Sequence, residues 1–350
     1  MNAQLILENG MRFSGEMFGY EADIVGEVVF TTGMVGYQET LTDPSFAGQI
    51  VTMTFPLIGN YGINLEDNEA DRANLKAFVV REKCDNPSNF RNEMSLDDFL
   101  KSQNVVGLEG IDTRALTRVL RDYGVMKGVI MKGEPSDGDV QKLMDTLDNS
   151  KVVKATTAEK VYTVNEVGKK HIAFVDLGAK QGIVRELVKR DCKLTIFPFD
   201  AKPEEIENVN PDMVFLSNGP GDPLDIPETV ETVKALIGKY PIYGICMGHL
   251  VIGLALGCKT KKLKFGHHGA NHPVKDLRTG RVYITSQNHN YVVSDYTDEI
   301  EETFINVNDG TGEGIRHKTL PIASVQFHPE ASPGPLDAGV LFDILMKEVK

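Results

Sequence analysis

The second half of the chain predicts an α/β fold built on an open, mostly parallel sheet flanked by helices, and a β-rich mixed domain precedes it. Three observations carry this expectation. From residue 172 to residue 245, short apolar runs alternate with segments of helical spacing, the pattern of βαβ units and hence of parallel strands. At residues 241–256 an apolar strand meets an apolar helix, and Gly244-x-Cys246-x-Gly248 stands at the junction. The first half instead shows many short β-type runs separated by turn residues, with little helix between them.

Composition bounds the rest. The 350 residues suit two domains, each large enough for its own core. With 41% hydrophobic and 25% charged residues the chain reads as an ordinary globular protein. The net charge of −13 argues against a general nucleic-acid or anionic-membrane binder. No apolar stretch approaches the ~20 residues of a membrane span, and Met1-Asn2-Ala3-Gln4 lacks the order of a signal peptide, so a cytoplasmic protein is expected. Cys84, Cys192, Cys246 and Cys258 are scattered without a C-x-x-C pair, which speaks against a disulfide framework or a zinc site.

In order, residues 5–7 and 12–16 read as a hairpin around Glu8-Asn9-Gly10, and residues 27–32 as a third strand. Residues 33–49 read as a long polar, glycine-rich loop, functional rather than idle, before a strand at 50–56. Another strand is expected at 77–81. A helix opens at Asp112 or Thr113, with Ala115, Leu116, Val119 and Leu120 on one face. A strand at 125–131 and a short helix at 137–147 close a domain over 1–150. Residues 151–169 lose periodicity and read as a linker, and the second domain runs over 170–350.

Within that domain, strands are expected at 172–175, 193–197 and 213–216, with a helix whose face carries Ile183, Val184, Leu187 and Val188 and further helices at 203–209 and 227–237. Ligands of such sheets bind beyond the carboxyl ends of the strands, and two of those ends are marked. One strand runs into Ser217-Asn218-Gly219-Pro220-Gly221-Asp222-Pro223, either a tight turn or a loop offering the amides of Gly219 and Gly221 to an oxyanion. The other runs into Cys246, a nucleophile on an elbow at a helix N-terminus or simply a small buried hydrophobe. A third segment, Phe327-His328-Pro329-Glu330, has an extended pre-proline geometry that aims His328 and Glu330 the same way, as a base and its orienting carboxylate. The histidines of residues 266–273 and 286–291 sit among Gly, Asn and Pro in loop-like contexts without regular ligand spacing, so no metal is expected.

Taken together, Gly244-Ile245-Cys246-Met247-Gly248-His249, the Ser217–Pro223 loop and Phe327-His328-Pro329-Glu330-Ala331 resemble the triad-type, class I glutamine amidotransferases. The first half narrows this. Thr32-Gly33-Met34-Val35-Gly36-Tyr37-Gln38-Glu39, Pro56-Leu57-Ile58-Gly59-Asn60-Tyr61-Gly62 and Gly110-Ile111-Asp112-Thr113-Arg114 are similar to the small, glutamine-hydrolysing subunits of carbamoyl-phosphate synthetases, and the likeness runs over essentially the whole chain. The resemblance implies Cys246 as nucleophile, with His328 and Glu330 as its proton relay. It places Ser45, Gly219, Gly221, Met247, Leu250, Asn288, Asn290 and Tyr291 at the glutamine pocket. It implies no cofactor in this subunit. Ammonia would pass through a tunnel to a large subunit, which uses ATP and Mg to make carbamoyl phosphate from bicarbonate for arginine and pyrimidine synthesis. Neither nucleic acid nor membrane is an expected partner.

Two positions depart from the family pattern: Leu250, where the family has Gln, and Asn290, where it usually has Gly. Leu250 lies one helical turn after Cys246 and would remove a hydrogen bond to substrate. Asn290 would adopt positive φ in glycine's place and crowd the pocket. Both suggest a working enzyme with weakened glutamine binding. The alternative is a glutaminase-impaired subunit that only supports ammonia-dependent synthesis by its partner. A stand-alone γ-glutamyl hydrolase would have no use for the first domain.

Overall fold

The computed structural model describes residues 1–348, and the chain divides into two compact units, Met1–Asn149 and Ser150–Lys350. Each has its own core.

In the first unit the elements are β1 Asn2–Leu7, β2 Arg12–Gly19, β3 Ile24–Thr31, α1 Tyr37–Thr42, β4 Gln49–Met53, β5 Leu57–Ile58, β6 Ala77–Val79, β7 Glu82–Lys83, α2 Leu96–Ser102, β8 Val106–Glu109, α3 Thr113–Tyr123, β9 Met126–Lys132 and α4 Asp137–Met144. Seven strands close a barrel in the order β1-β2-β8-β6-β4-β3-β9, while β5 and β7 pair by themselves. The hairpin forms because Gly10, at φ +83°, folds back so that its amide reaches Leu7 O at 2.8 Å. One apolar cluster draws on every barrel strand and on Leu116 and Leu120 of α3, a helix capped by Asp112 through the Ala115 amide at 2.9 Å.

Residues 33–49 are not an open loop. They hold α1 and a 3-10 turn, Pro44–Phe46. Tyr37 and Gln38 are buried because partners satisfy their polar atoms. Tyr37 stacks on Tyr61 at 4.1 Å between ring centres, and the Gln38 amide donates to Asn64 O and accepts from Asn64 N. Polar residues that look solvated in sequence are therefore a packed, hydrogen-bonded layer.

The second unit contains α5 Val152–Thr156, β10 Tyr162–Val164, β11 Lys170–Asp176, α6 Gln181–Lys189, β12 Cys192–Pro198, α7 Pro203–Asn208, β13 Met213–Leu216, α8 Pro227–Leu236, β14 Ile242–Ile245, α9 Met247–Ala255, β15 Lys259–Asp276, β16 Val282–Ser294, β17 Ile300–Asn306, β18 Gly312–His317, β19 Ile322–Val325 and α10 Val340–Glu348. One sheet joins ten strands, β10-β12-β11-β13-β14-β19-β18-β17-β15-β16. The run β12-β11-β13-β14-β19 is parallel, and the strands from β18 to β16 extend it in antiparallel fashion. Period-two alternation sorts the parallel strands: Val214 and Leu216 pack with α8 and α9, while Met213 and Phe215 pack with α6 and α10.

Two stretches differ from the sequence reading. Residues 151–169 carry α5 and β10. They are held because Val153 enters the core and Asp176 accepts the Ala158 amide at 2.8 Å. The histidine-rich stretches fall in β15 and β16, paired strands whose register shifts absorb the residues of low β propensity. Among the described residues no helix is long and apolar enough to cross a membrane.

Candidate active site

The tips of the parallel strands build the site. β14 turns into α9 through Cys246, which is held at φ +55° and ψ −102°, a conformation few side chains adopt. The turn is possible only with glycine on either side. A Cβ on Gly248 would sit 2.5 Å from Leu216 O, and one on Gly244 would sit 2.7 Å from the Gly248 carbonyl carbon. Backbone bonds then fix the elbow between its neighbours, Cys246 N to Val325 O at 2.9 Å and Gly248 N to Ser217 O at 2.9 Å. Cys246 is buried, with Sγ 3.6 Å from Asn288 O.

Beyond β19 the chain brings in His328, whose amide donates to Ser286 O at 2.9 Å. His328 Nδ1 lies 2.6 Å from Glu330 Oε1, so the two residues do point the same way. Nδ1–H donated to that carboxylate leaves Nε2 as the working nitrogen, and Nε2 is buried with no hydrogen-bond partner among the described residues. Burial by itself would lower the proton affinity of His328. The adjacent charge of Glu330, and after it the nearby Cys246 sulfur, overturn that and hold the imidazole well above its ordinary range.

A residue the sequence reading did not single out completes the set. Lys180, from the loop after β11, is 2% exposed. Its Nζ reaches Glu330 Oε1 at 3.2 Å and donates to Ala331 O at 2.6 Å. Burial alone would raise the Glu330 carboxyl, but Lys180 and then His328 hold it far below the usual glutamate value. The lysine is itself placed by two buried side chains. Asp176 Oδ1 accepts the amides of Gly178 and Ala179 at 2.9 and 2.7 Å, and Asn218 Oδ1 accepts the Lys180 amide at 2.9 Å. Its position just past a strand end was the available signal. With Lys180 compensating the charge of Glu330, the thiolate–imidazolium pair formed when a proton passes from Cys246 to His328 sits in a buried set of zero net charge.

Gly219 and Gly221 lie on the loop after β13, the strand beside β14. No described residue accepts a hydrogen bond from their amides or from that of Met247, the first residue of α9. Asn288 and Asn290 share one side of β16, and His268 of β15 bridges them, Nδ1 to Asn288 Oδ1 at 2.9 Å and Nε2 to Asn290 Oδ1 at 3.0 Å. Asn290 has the extended backbone of a strand rather than a positive φ, which corrects the expectation that it stands in for glycine conformationally. Leu250 is buried in the apolar cluster that holds Met247 and Val251, with Tyr291 packed against that cluster. Ser45 belongs to the first unit, in the Pro44–Phe46 turn, where its amide is bonded to Asp43 Oδ1 at 2.8 Å. His249, next to the elbow, is wholly buried against Ser324 Oγ at 2.9 Å, and burial pushes its pKa down to about 3, so it stays neutral.

An elbow cysteine, an imidazole and a carboxylate on a parallel sheet define a glutamine amidotransferase of class I, and residues 173–348 match that family. Residues 5–130 match the carbamoyl-phosphate synthase small chain, CPSase domain. The carbamoyl phosphate synthase small chain of Clostridium perfringens is 55% identical over 347 residues, covering 99% of this chain and 99% of its own. That of Bacillus caldolyticus is 50% identical, covering 98% and 95%. The pyrimidine-specific small chain of Bacillus subtilis is 49% identical, covering 100% and 96%. The chain belongs to the carbamoyl phosphate synthase small-chain family.

Proposed function

We propose that the chain hydrolyses glutamine and hands ammonia to an ATP-dependent large subunit that makes carbamoyl phosphate. The observation that carries this reading is the buried line Lys180–Glu330–His328–Cys246, ending on a strained elbow. Cys246 gives its proton to His328 and attacks the side-chain amide carbon as a thiolate. The amides of Gly219, Gly221 and Met247 stabilise the oxyanion. His328 returns the proton to the departing nitrogen, and ammonia leaves the γ-glutamyl thioester. Water, deprotonated by His328, then opens the thioester and glutamate is released. The intact line disfavours a subunit that only supports ammonia-dependent synthesis.

The test is Cys246→Ser in the complex with a large subunit. Glutamine-dependent carbamoyl phosphate synthesis should vanish while ammonium-dependent synthesis persists, and loss of neither would reject the reading. The proposal includes a weak hold on glutamine, caused chiefly by Leu250. Leu250→Gln should lower KM for glutamine by roughly 10- to 150-fold, the worth of one hydrogen bond to a charged substrate. An unchanged KM would remove Leu250 from the pocket.

A further inference from the structure

A second buried polar cluster lies in the antiparallel part of the sheet and takes no part in the chemistry above. His267 on β15 and His289 on β16 are cross-strand partners with ring centres 5.0 Å apart, and Glu313 of β18 closes on them. We propose that His267 Nδ1, His289 Nε2 and the Glu313 carboxylate bind one divalent transition-metal ion, with zinc as the best chemical match.

Three features point to a cation. The first is spacing. The three ligand atoms lie within 4.8 Å of one another, and His267 Nδ1 is 3.4 Å from Glu313 Oε1. Ligands around a tetrahedral ion with bonds of about 2.1 Å stand roughly 3.4 Å apart.

The second is the outer arrangement. Histidines that bind metals donate their other N–H to a carboxylate or a backbone carbonyl. His267 Nε2 is 2.8 Å from Asp309 Oδ2, and His289 Nδ1 is 2.8 Å from Tyr291 O. That leaves His267 Nδ1, which Asn306 Nδ2 meets at 3.5 Å, and His289 Nε2 as the remaining ring nitrogens of the cluster. His289 Nε2 also meets Gln287 Oε1 at 2.8 Å, lone pair to lone pair unless that amide is turned or a cation stands between them.

The third is unmet demand. Glu313 is wholly buried; Asn306 Nδ2 donates to its Oε1 at 2.9 Å, and its Oε2 has no partner among the described residues. Buried and equally unpartnered are His272 Nδ1, on a ring 5.3 Å from that of His267, and both side-chain polar atoms of Gln326, the residue opposite Glu313 across the β18–β19 ladder. Buried polar atoms left unpaired in such number call for a further partner, an ion or ordered water. Two neutral imidazoles, two carboxylates and one dication sum to zero charge. The ion would tie β15, β16 and β18 together beside Asn288 and Asn290, which flank His289, a structural rather than a catalytic role.

The test uses the full chain, stripped with chelator, re-equilibrated with zinc or cobalt and desalted, with metal counted by mass spectrometry. One equivalent should remain in the wild type and in Cys246→Ser, which removes the competing thiolate. Glu313→Gln and His289→Ala should retain none. Should those two fail to fold, Asp309→Asn decides, because Asp309 is part-exposed and only orients His267; its Kd should rise roughly 10- to 100-fold. Cobalt spectra should show nitrogen and oxygen ligation without a thiolate charge-transfer band. A metal-free wild type would make the cluster a plain His267–Glu313 ion pair and overturn the proposal. So would binding that disappears in Cys246→Ser, or an Asp309→Asn affinity equal to wild type.

Discussion

The parallel and antiparallel parts of the large sheet hold their functional residues by different means. At the tips of β13 and β14 the backbone does the positioning. Strand ends turn sharply, glycines allow contacts that a single Cβ would block, and main-chain bonds link each tip to the next strand. In the β15–β16 ribbon side chains do it, through His268 with Asn288 and Asn290, His289 with Gln287, and His267 with Asp309. The first arrangement fixes residue type by space and tolerates little. The second fixes it by hydrogen-bond matching, so residues there should change in sets.

The largest effect should come from Lys180→Met, which takes the cation from a buried carboxylate in the parallel part. Breaking a buried pair from one side costs about 3 to 5 kcal/mol. The pH sign follows from Glu330. Its carboxyl is depressed in the fold, so the stability it contributes is present above its ordinary pKa of about 4.3 and is lost as pH falls through its folded value of about 2. The gap between wild type and variant, measured by denaturant unfolding, should therefore be full at pH 7 and shrink on acidification. An equal gap at both ends would show that Lys180 acts by packing alone. His328, raised in the fold, obeys the opposite rule: its contribution is complete below about pH 6.5 and is lost as the medium becomes alkaline.

Gly248→Ala probes the same part through space alone. The added methyl would lie 2.5 Å from Leu216 O, inside any allowed contact, so the elbow must shift. Overpacking of this kind costs about 1 to 3 kcal/mol. Glutaminase activity should fall further than stability does, since Cys246 moves with the turn. A variant of normal activity would mean that the elbow has slack that the geometry does not show.

What was legible in the sequence tracks this division. The strand–helix alternation, the elbow and the His328–Glu330 pair rest on local rules, namely periodicity, the space a turn requires and pre-proline geometry, and each can be read from a few adjacent residues. Lys180 could not be read this way. It looks like any solvated lysine until Glu330 and Ala331, far along the chain, close around it. The helix α1 was hidden because Tyr37, Gln38 and Thr40 are buried only by virtue of partners such as Tyr61 and Asn64. The β15–β16 ribbon was hidden for the same reason, since Gly, Asn and His become strand residues there by cross-strand pairing rather than propensity.

The mildest test addresses that ribbon. Asn290→Gly restores the residue usual in the family but removes the partner of His268 Nε2. A buried hydrogen bond contributes about 0.5 to 1.5 kcal/mol, and glycine inside a strand loses about 0.5 to 1 more, so stability should drop by about 1 to 2.5 kcal/mol. If the ribbon is held by matched sets, His268→Ala should cost less in the Asn290→Gly background than alone, with a coupling of at least about 0.5 kcal/mol in a double-mutant cycle. Because Asn290 already has extended backbone, no conformational strain is relieved to offset the loss. Strict additivity would mean that His268 and Asn290 are neighbours without being partners, and the contrast between the two parts of the sheet would then fail at its antiparallel end.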